Sequence, residues 1–453
     1  MKSSRNPEFP RTPSQRAPAP APAPPSAPRK TGASNPDYLT RDEVLAILGI
    51  KPQTLYAYVS RGLIHSVPQP DGRSSFYVGE DVERIRVKSA ARAGFGAVAA
   101  SAMRWGEPVI TTGITLITED GPRYRNRLAT DLVRAGAPFE TVADFLWDGT
   151  WIDRPAGWTA PDTPADVVAQ LSGTAKLRGD PHLVQLMILS LGLLGIFHGS
   201  MKVRIVTGTT PTQLARQAIR TMAGSFGFIA PRRRFVPFRA GEPVAAGLAR
   251  ALEIEPSAAA LAAINAVLVL DVDHELTSST FVARIAASGG ADLHACMSAA
   301  LNTHFSDTIG CRADRVEELF DARSDAAGVI AKVKTLVAAA QRVPGFNHPF
   351  YPKGDPRAAL LIEIAREVGG KNRRSMRSML ETVDLLQSEF GLRPSFELGS
   401  VALCRALGLP PQTASGLRSL ARTAGWVAHI FEQRLAAFMI RPRAKYVGAG
   451  STG

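Results

Sequence analysis

An all-α body is predicted, and three features of the sequence predict it. From Asp131 onward, apolar residues recur at spacings of three and four over runs of helical length, the period of one buried helix face. Strand-like and helix-like runs do not alternate, which argues against a parallel α/β sheet. The β-branched stretch from Pro108 to Ile117, followed by the turn pair Asp120-Gly121, has room for one short hairpin.

Length and composition narrow the classes. A chain of 453 residues is long enough for two or three domains with a large core. Its apolar and charged contents, 45% and 21%, are those of a globular protein. Cys296, Cys311 and Cys404 show neither metal-ligand spacing nor a disulfide framework, so no metal and a reducing, cytoplasmic setting are expected. The beginning of the chain lacks the charged start and apolar core of a secretory signal. The apolar run from Leu183 to Phe197 is short and carries Gln185, which predicts a buried helix and no membrane span. A net charge of +13 permits a nucleic-acid partner without requiring one.

Residues 1–37 are dominated by Pro, Ala and Ser and are expected to form a disordered tail, because they hold too little apolar mass to offset ordering entropy. Residues 38–93 change character. Thr40 with Glu43 forms a capping box, and Gly49 is placed to end the first helix. Pro52 then opens a second helix that ends near Gly62. A wing-like hairpin is expected over Pro68 to Tyr77, with another helix opening at Glu80. This order resembles the winged helix-turn-helix of the mercury-resistance-regulator and excisionase family. The resemblance implies that the second helix enters the major groove of duplex DNA with Gln53, Thr54, Tyr56, Tyr58 and Arg61, and that Arg73 reaches phosphate from the wing. Eight basic and six acidic residues in this segment make a thin electrostatic footprint, and a protein-docking module is the alternative. A Gly/Ala-rich linker over 94–104 follows. The nearly all-apolar stretch from Ala258 to Leu270 is expected to be buried on all sides.

The stretch from Gly345 to Arg357, GFNHPFYPKGDPR, puts His348 in a loop stiffened by Gly and Pro, ahead of an apolar helix beginning near Ala358. A neutral imidazole can donate to a carbonyl and a guanidinium can grip a carboxylate. His348 and Arg357 are therefore candidates to converge on one small anion, the alternative being a solvated turn.

Four motifs stand in one order: DHEL with STF from Asp273 to Phe281, the GFNH…DPRA stretch, RTAGWVAH with Glu432-Gln433 from Arg422, and IRPRAKYVG from Ile440. Together they resemble the citrate synthase family over roughly residues 105–450. The resemblance implies a two-domain all-α fold, with a larger domain formed by 105–308 and 407–453 and a smaller one by 309–406. It implies condensation of acetyl-CoA with oxaloacetate to give citrate, the entry step of the tricarboxylic acid cycle, and an acyltransferase with no permanently bound cofactor. In that family His348 corresponds to the ketone-polarising His and His274 to the substrate-binding His. Arg357 and Arg422 correspond to two carboxylate clamps, and Arg441 to an Arg contributed across a dimer interface.

The acetyl-CoA half departs from the pattern. Ile309 stands where the family has its enol-stabilising His, and Ser395 where it has the Asp that takes the methyl proton. Ile has no donor, and a Ser hydroxyl is no carboxylate base. Two functions are therefore expected: a weakly active or inactive member that senses a dicarboxylate or CoA and acts through its DNA-binding head, or an active citrate or methylcitrate synthase. The second would work as a homodimer or with an intact paralogue as a heterodimer.

Overall fold

The computed structural model describes residues 38–68, 75–79, 81–82, 85–86, 110–153, 157–177, 180–199, 209–306, 312–321, 325–369 and 373–442. The Pro/Ala tail, the 94–104 linker, Arg73 and Ile309 lie outside the described residues.

The first described segment holds two short helices, α1 (Arg41–Leu48) and α2 (Pro52–Ser60), and three strands, β1 (Tyr38–Leu39), β2 (Ser66–Pro68) and β3 (Ser75–Val78). Thr40 accepts from the Glu43 N–H while Glu43 accepts from the Thr40 N–H, the reciprocal bonding that the capping box requires. Gly49 ends α1 at φ 62°, a left-handed geometry that costs an L side chain more than it costs Gly. The strands form an antiparallel sheet in the order β1-β3-β2. Leu39, Val44, Leu55, Ile64, Tyr77 and Val82 form its own small core.

The next segment opens with β4 (Thr115–Thr118), β5 (Gly121–Tyr124) and β6 (Arg127–Leu128), an antiparallel meander. The hairpin expected from the sequence thus has a third strand, because Arg125 and Asn126, both at positive φ, turn the chain back after Tyr124. Helices follow: α3 (Ala129–Arg134), α4 (Phe139–Asp148), α5 (Ala165–Thr174), α6 (Leu183–His198), α7 (Pro211–Gly224) and α8 (Val244–Ala251). Then come α9 (Ala258–Leu270), α10 (Ser278–Ser288), α11 (Leu293–His304), α12 (Arg312–Leu319) and α13 (Ala326–Ala338). The chain closes with α14 (Pro356–Val368), α15 (Arg373–Phe390), α16 (Phe396–Ala406) and α17 (Thr413–Ala436). The architecture is mostly helical, as the sequence predicts.

Two expectations are corrected in detail. Helix α9 is not buried on all sides: Ala258, Ala259 and Ala262 face solvent, whereas Val267–Leu270 are fully enclosed. Its small first-turn residues gain little from burial, while the Val/Leu end carries the apolar area that drives packing. Helix α6 exposes Ile196 and Phe197 at its C-terminal end. No helix among the described residues is long and apolar enough to cross a membrane.

Helix α17 runs through the middle of the core, with the whole stretch from Leu420 to Ile430 buried. Gly425 lets it approach the segment carrying Asp273. A Cβ there would stand 2.4 Å from the Val272 carbonyl oxygen and 2.6 Å from Asp273 Oδ1, far inside contact distance. Helix propensity alone favours Ala over Gly by about 1 kcal/mol, but overpacking costs about 1–3 kcal/mol. Gly425→Ala is therefore expected to lower the unfolding midpoint in a thermal or urea melt. A raised midpoint would mean that the two segments can separate freely.

Candidate functional site

Four chain segments meet at one buried cluster: the residues after α9, the 345–355 loop with the start of α14, the start of α16, and the face of α17 carrying Arg418 and Arg422. The loop is pinned before the helices begin. Gly345 adopts φ 84°, and a Cβ there would press on Val316 and Leu398. The Asn347 N–H donates to the Arg393 carbonyl at 2.7 Å, and the Ser395 N–H to the Gly345 carbonyl at 2.8 Å. The Arg393 N–H donates back to Asn347 Oδ1 at 2.9 Å.

Asp355 joins the two helix starts. Its carboxylate caps α14 by accepting from the Arg357 N–H at 3.0 Å and accepts the Phe396 N–H at the start of α16 at 3.1 Å. It also takes the Arg357 fork at 3.0 and 2.8 Å. Arg357 therefore lies inside α14, which begins at Pro356 rather than near Ala358: Pro suits the first helical turn. The guanidinium sits over the Phe396 ring at 4.9 Å. Burial works against its charge, but Asp355, Tyr351 and Asp271 outweigh it and hold its pKa above the usual range.

Asp271 is the hub of the cluster. Its Oδ1 accepts from Arg357 Nη1 at 3.2 Å and from Arg422 Nη2 at 2.5 Å, and its carbonyl accepts from Arg422 Nε at 3.1 Å. Arg418 Nε lies 3.5 Å from Oδ2. Neither Asp271 nor Arg418 was singled out in the sequence. Their signal was available in the i, i+4 spacing of Arg418 and Arg422, which share one helix face.

The two histidines of the loop and the DHEL motif come together, with ring centroids 5.1 Å apart. His274 Nε2 is 3.0 Å from the Tyr351 hydroxyl. Burial first, then Arg357 and His348, hold its pKa well below the ordinary value. His348 is partly exposed; loss of solvation, opposed by Asp355 and reinforced by Arg357, lowers its pKa to about 3. The Phe350 N–H donates to Nδ1 at 3.2 Å, so the ring proton of a neutral His348 belongs on Nε2. A neutral imidazole with a fixed Nε2–H can polarise a carbonyl oxygen.

Ser395 is buried, and its hydroxyl donates to Glu397 Oε2 at 2.6 Å. The other oxygen of Glu397 pairs with Arg418. Burial raises the Glu397 pKa, but Arg418, Arg312 and His348 outweigh it and hold the carboxyl well below the usual range. A carboxylate held that acidic is a weak proton acceptor. His304 ends α11 with its ring 5.4 Å from that of Trp426. Neither ring nitrogen has a hydrogen-bond partner among the described residues, and burial with Arg418 and Arg422 keeps it neutral.

Arg441 is exposed and makes no ion pair with the cluster of its own chain among the described residues. On α2, Gln53 and Tyr56 are exposed and Thr54 partly so, and Arg61, just after the helix, is exposed, with Arg41 5.8 Å from the Tyr56 ring centroid. No group of His, Cys, Asp and Glu side chains among the described residues is arranged to hold a metal ion.

Replacing Asp355 with Asn would leave a buried guanidinium short of its partner, a change that typically costs about 3–5 kcal/mol. The Asp355→Asn variant is expected to unfold at clearly lower urea concentration. An unchanged midpoint would mean that the other carboxylates suffice for Arg357.

The family model described as citrate synthase, C-terminal domain, matches residues 102–443. Citrate synthase 2 of Bacillus subtilis is 29% identical over 196 residues, 43% of this chain and 53% of that protein, so this match spans about half the relative's length. Putative citrate synthase 2 of Mycobacterium tuberculosis is 27% identical over 366 residues, 76% of this chain and 92% of that protein. Among solved structures, the Thermoplasma acidophilum citrate synthase in ternary complex with carboxymethyl coenzyme A and oxaloacetate superposes with a TM-score of 0.63. That match has 19% identity and covers 76% of this chain and 95% of the other. The Thermotoga maritima citrate synthase gives a TM-score of 0.61 at 20% identity, covering 77% and 96%. At these identities the structural likeness establishes the fold.

Proposed function

This chain belongs to the citrate synthase family, and from that premise we propose that it is a weakly active or inactive member that binds a small oxo-acid and acts as a ligand-sensing, DNA-binding regulator. The observation that carries this reading is the arrangement around Ser395, which by resemblance corresponds to the family's base position. Ser395 stands there, and the neighbouring carboxylate, Glu397, is occupied on one oxygen by that hydroxyl and on the other by Arg418. In the family reaction a free carboxylate takes a proton from the acetyl methyl group. Losing a general base costs roughly 10²–10⁴ in rate, and losing an oxyanion donor, as Ile309 implies, costs about 10²–10³.

The oxo-acid half is supported by different residues. His348 would polarise the ketone through its Nε2–H, His274 would line the ligand, and Arg357, Arg418 and Arg422 would supply the positive field. Arg441 would come from a second copy, or from an intact paralogue, across a family-type dimer. Acetyl-CoA or CoA is at most a passing ligand in this reading. The head is read as a winged helix-turn-helix because Gly49 joins two short helices ahead of an antiparallel pair of strands. Gln53, Thr54 and Tyr56 would face bases, while Arg61 and Arg73 would hold phosphates.

The purified protein is expected to turn over acetyl-CoA and oxaloacetate at least about 10³-fold more slowly than a typical enzyme rate of order 10 s⁻¹. A thiol-release assay measures this, and robust turnover by the homogeneous protein would sink the silenced-site reading. Ile309→His with Ser395→Asp should raise the rate, and turnover restored only on mixing with an intact synthase subunit would support the heteromeric enzyme instead.

Two heads on a two-fold dimer predict an inverted-repeat DNA site. Selection from a random duplex pool at moderate salt, with and without carboxylate ligands, should enrich such a palindrome. If none emerges, the head is a docking module for another protein.

A further inference from the structure

We propose that Asp271 is a built-in carboxylate occupying one of the two carboxylate seats of the arginine cluster, so that the site prefers a small 2-oxo or 2-hydroxy monocarboxylate to a dicarboxylate. This rests on reading the cluster as an oxo-acid site and names the ligand class for it.

The donors show what is already taken. Arg357 gives Nε and Nη2 to Asp355 and Nη1 to Asp271. Arg422 gives Nε to the Asp271 carbonyl and Nη2 to its carboxylate. Arg418 gives Nη1 to Glu397, with Nε turned toward Asp271 Oδ2. Among the described residues, Nη1 of Arg422 and Nη2 of Arg418 are left without a partner. These two groups lie four residues apart on one face of α17, where they offer donors for a single carboxylate.

Charge leads to the same ligand. Three buried guanidinium groups face three buried carboxylates, those of Asp271, Asp355 and Glu397. Arg312 adds positive charge near Glu397 and buried Asp273 adds negative charge near Arg422, while the nearby His274 and His348 are held neutral. A dicarboxylate would set its second charge against Asp271 in a site where water does little to screen repulsion. A monocarboxylate on the Arg418/Arg422 edge would leave its 2-oxo oxygen for the His348 Nε2–H.

Lactate and malate differ by one carboxylate and are stable in solution, so titration calorimetry on the full-length protein can compare them directly. Wild type should bind lactate at least about tenfold more tightly than malate. Asp271→Asn should move the ratio of the two affinities toward malate by a further tenfold or more, because it opens the second seat. Tighter malate binding by wild type, or a ratio unmoved in Asp271→Asn, overturns the assignment and leaves Asp271 as a strut for the arginines. If Asp271→Asn does not fold, the wild-type ratio decides alone. If wild type and a folded Asp271→Asn bind neither acid, the oxo-acid reading of the site falls first and this proposal with it.

Discussion

Three guanidinium groups lie out of water in one small volume, and their neutralisation constrains everything around them. A buried ion whose partner is missing costs several kcal/mol, and even a paired one is stable only when its hydrogen bonds are met. Arg357, Arg418 and Arg422 are paired with Asp271, Asp355 and Glu397. Those carboxylates come from the end of α9, the start of α14 and the start of α16, while two of the cations ride on α17. Four distant pieces of chain are thereby held to one arrangement. The close approach of α17 at Gly425, the cap supplied by Asp355 and the pinned loop at Gly345 are the local features that permit it.

The same neutralisation shapes the chemistry. Glu397, committed to Arg418 and to the Ser395 hydroxyl, is held well below the usual carboxylate range, which makes it a good counter-ion and a poor proton acceptor. The field of the arginines, added to burial, keeps His274 and His304 neutral. The cluster is therefore better equipped to hold and polarise an oxo-acid than to remove a proton from carbon.

The arginine cluster lies deep in the helical body, whereas Gln53 and Tyr56 on α2, and Arg61 just after it, are exposed. The first segment has a small core of its own, while Tyr38, Val67 and Phe76 belong to the large core.

Much was legible in the sequence because it depends on local chemistry. The helical period, the capping box at Thr40, the left-handed end at Gly49, the loop carrying His348 and the family motifs all follow from neighbouring residues. The meeting of His274 with His348 was legible only through the motif resemblance, since these residues are far apart in the chain. Asp271, Arg418, Glu397 and His304 were not read as parts of one cluster, because an Asp or Arg carries no mark of its partner until packing removes water from both. The helix starting at Pro356 rather than near Ala358 is a boundary that Asp355 decides by capping. Sequence alone therefore determined the helical class and the family. Only the tertiary structure decided which carboxylate faces which arginine, because ion pairing inside a protein is selected by burial and geometry rather than by order along the chain.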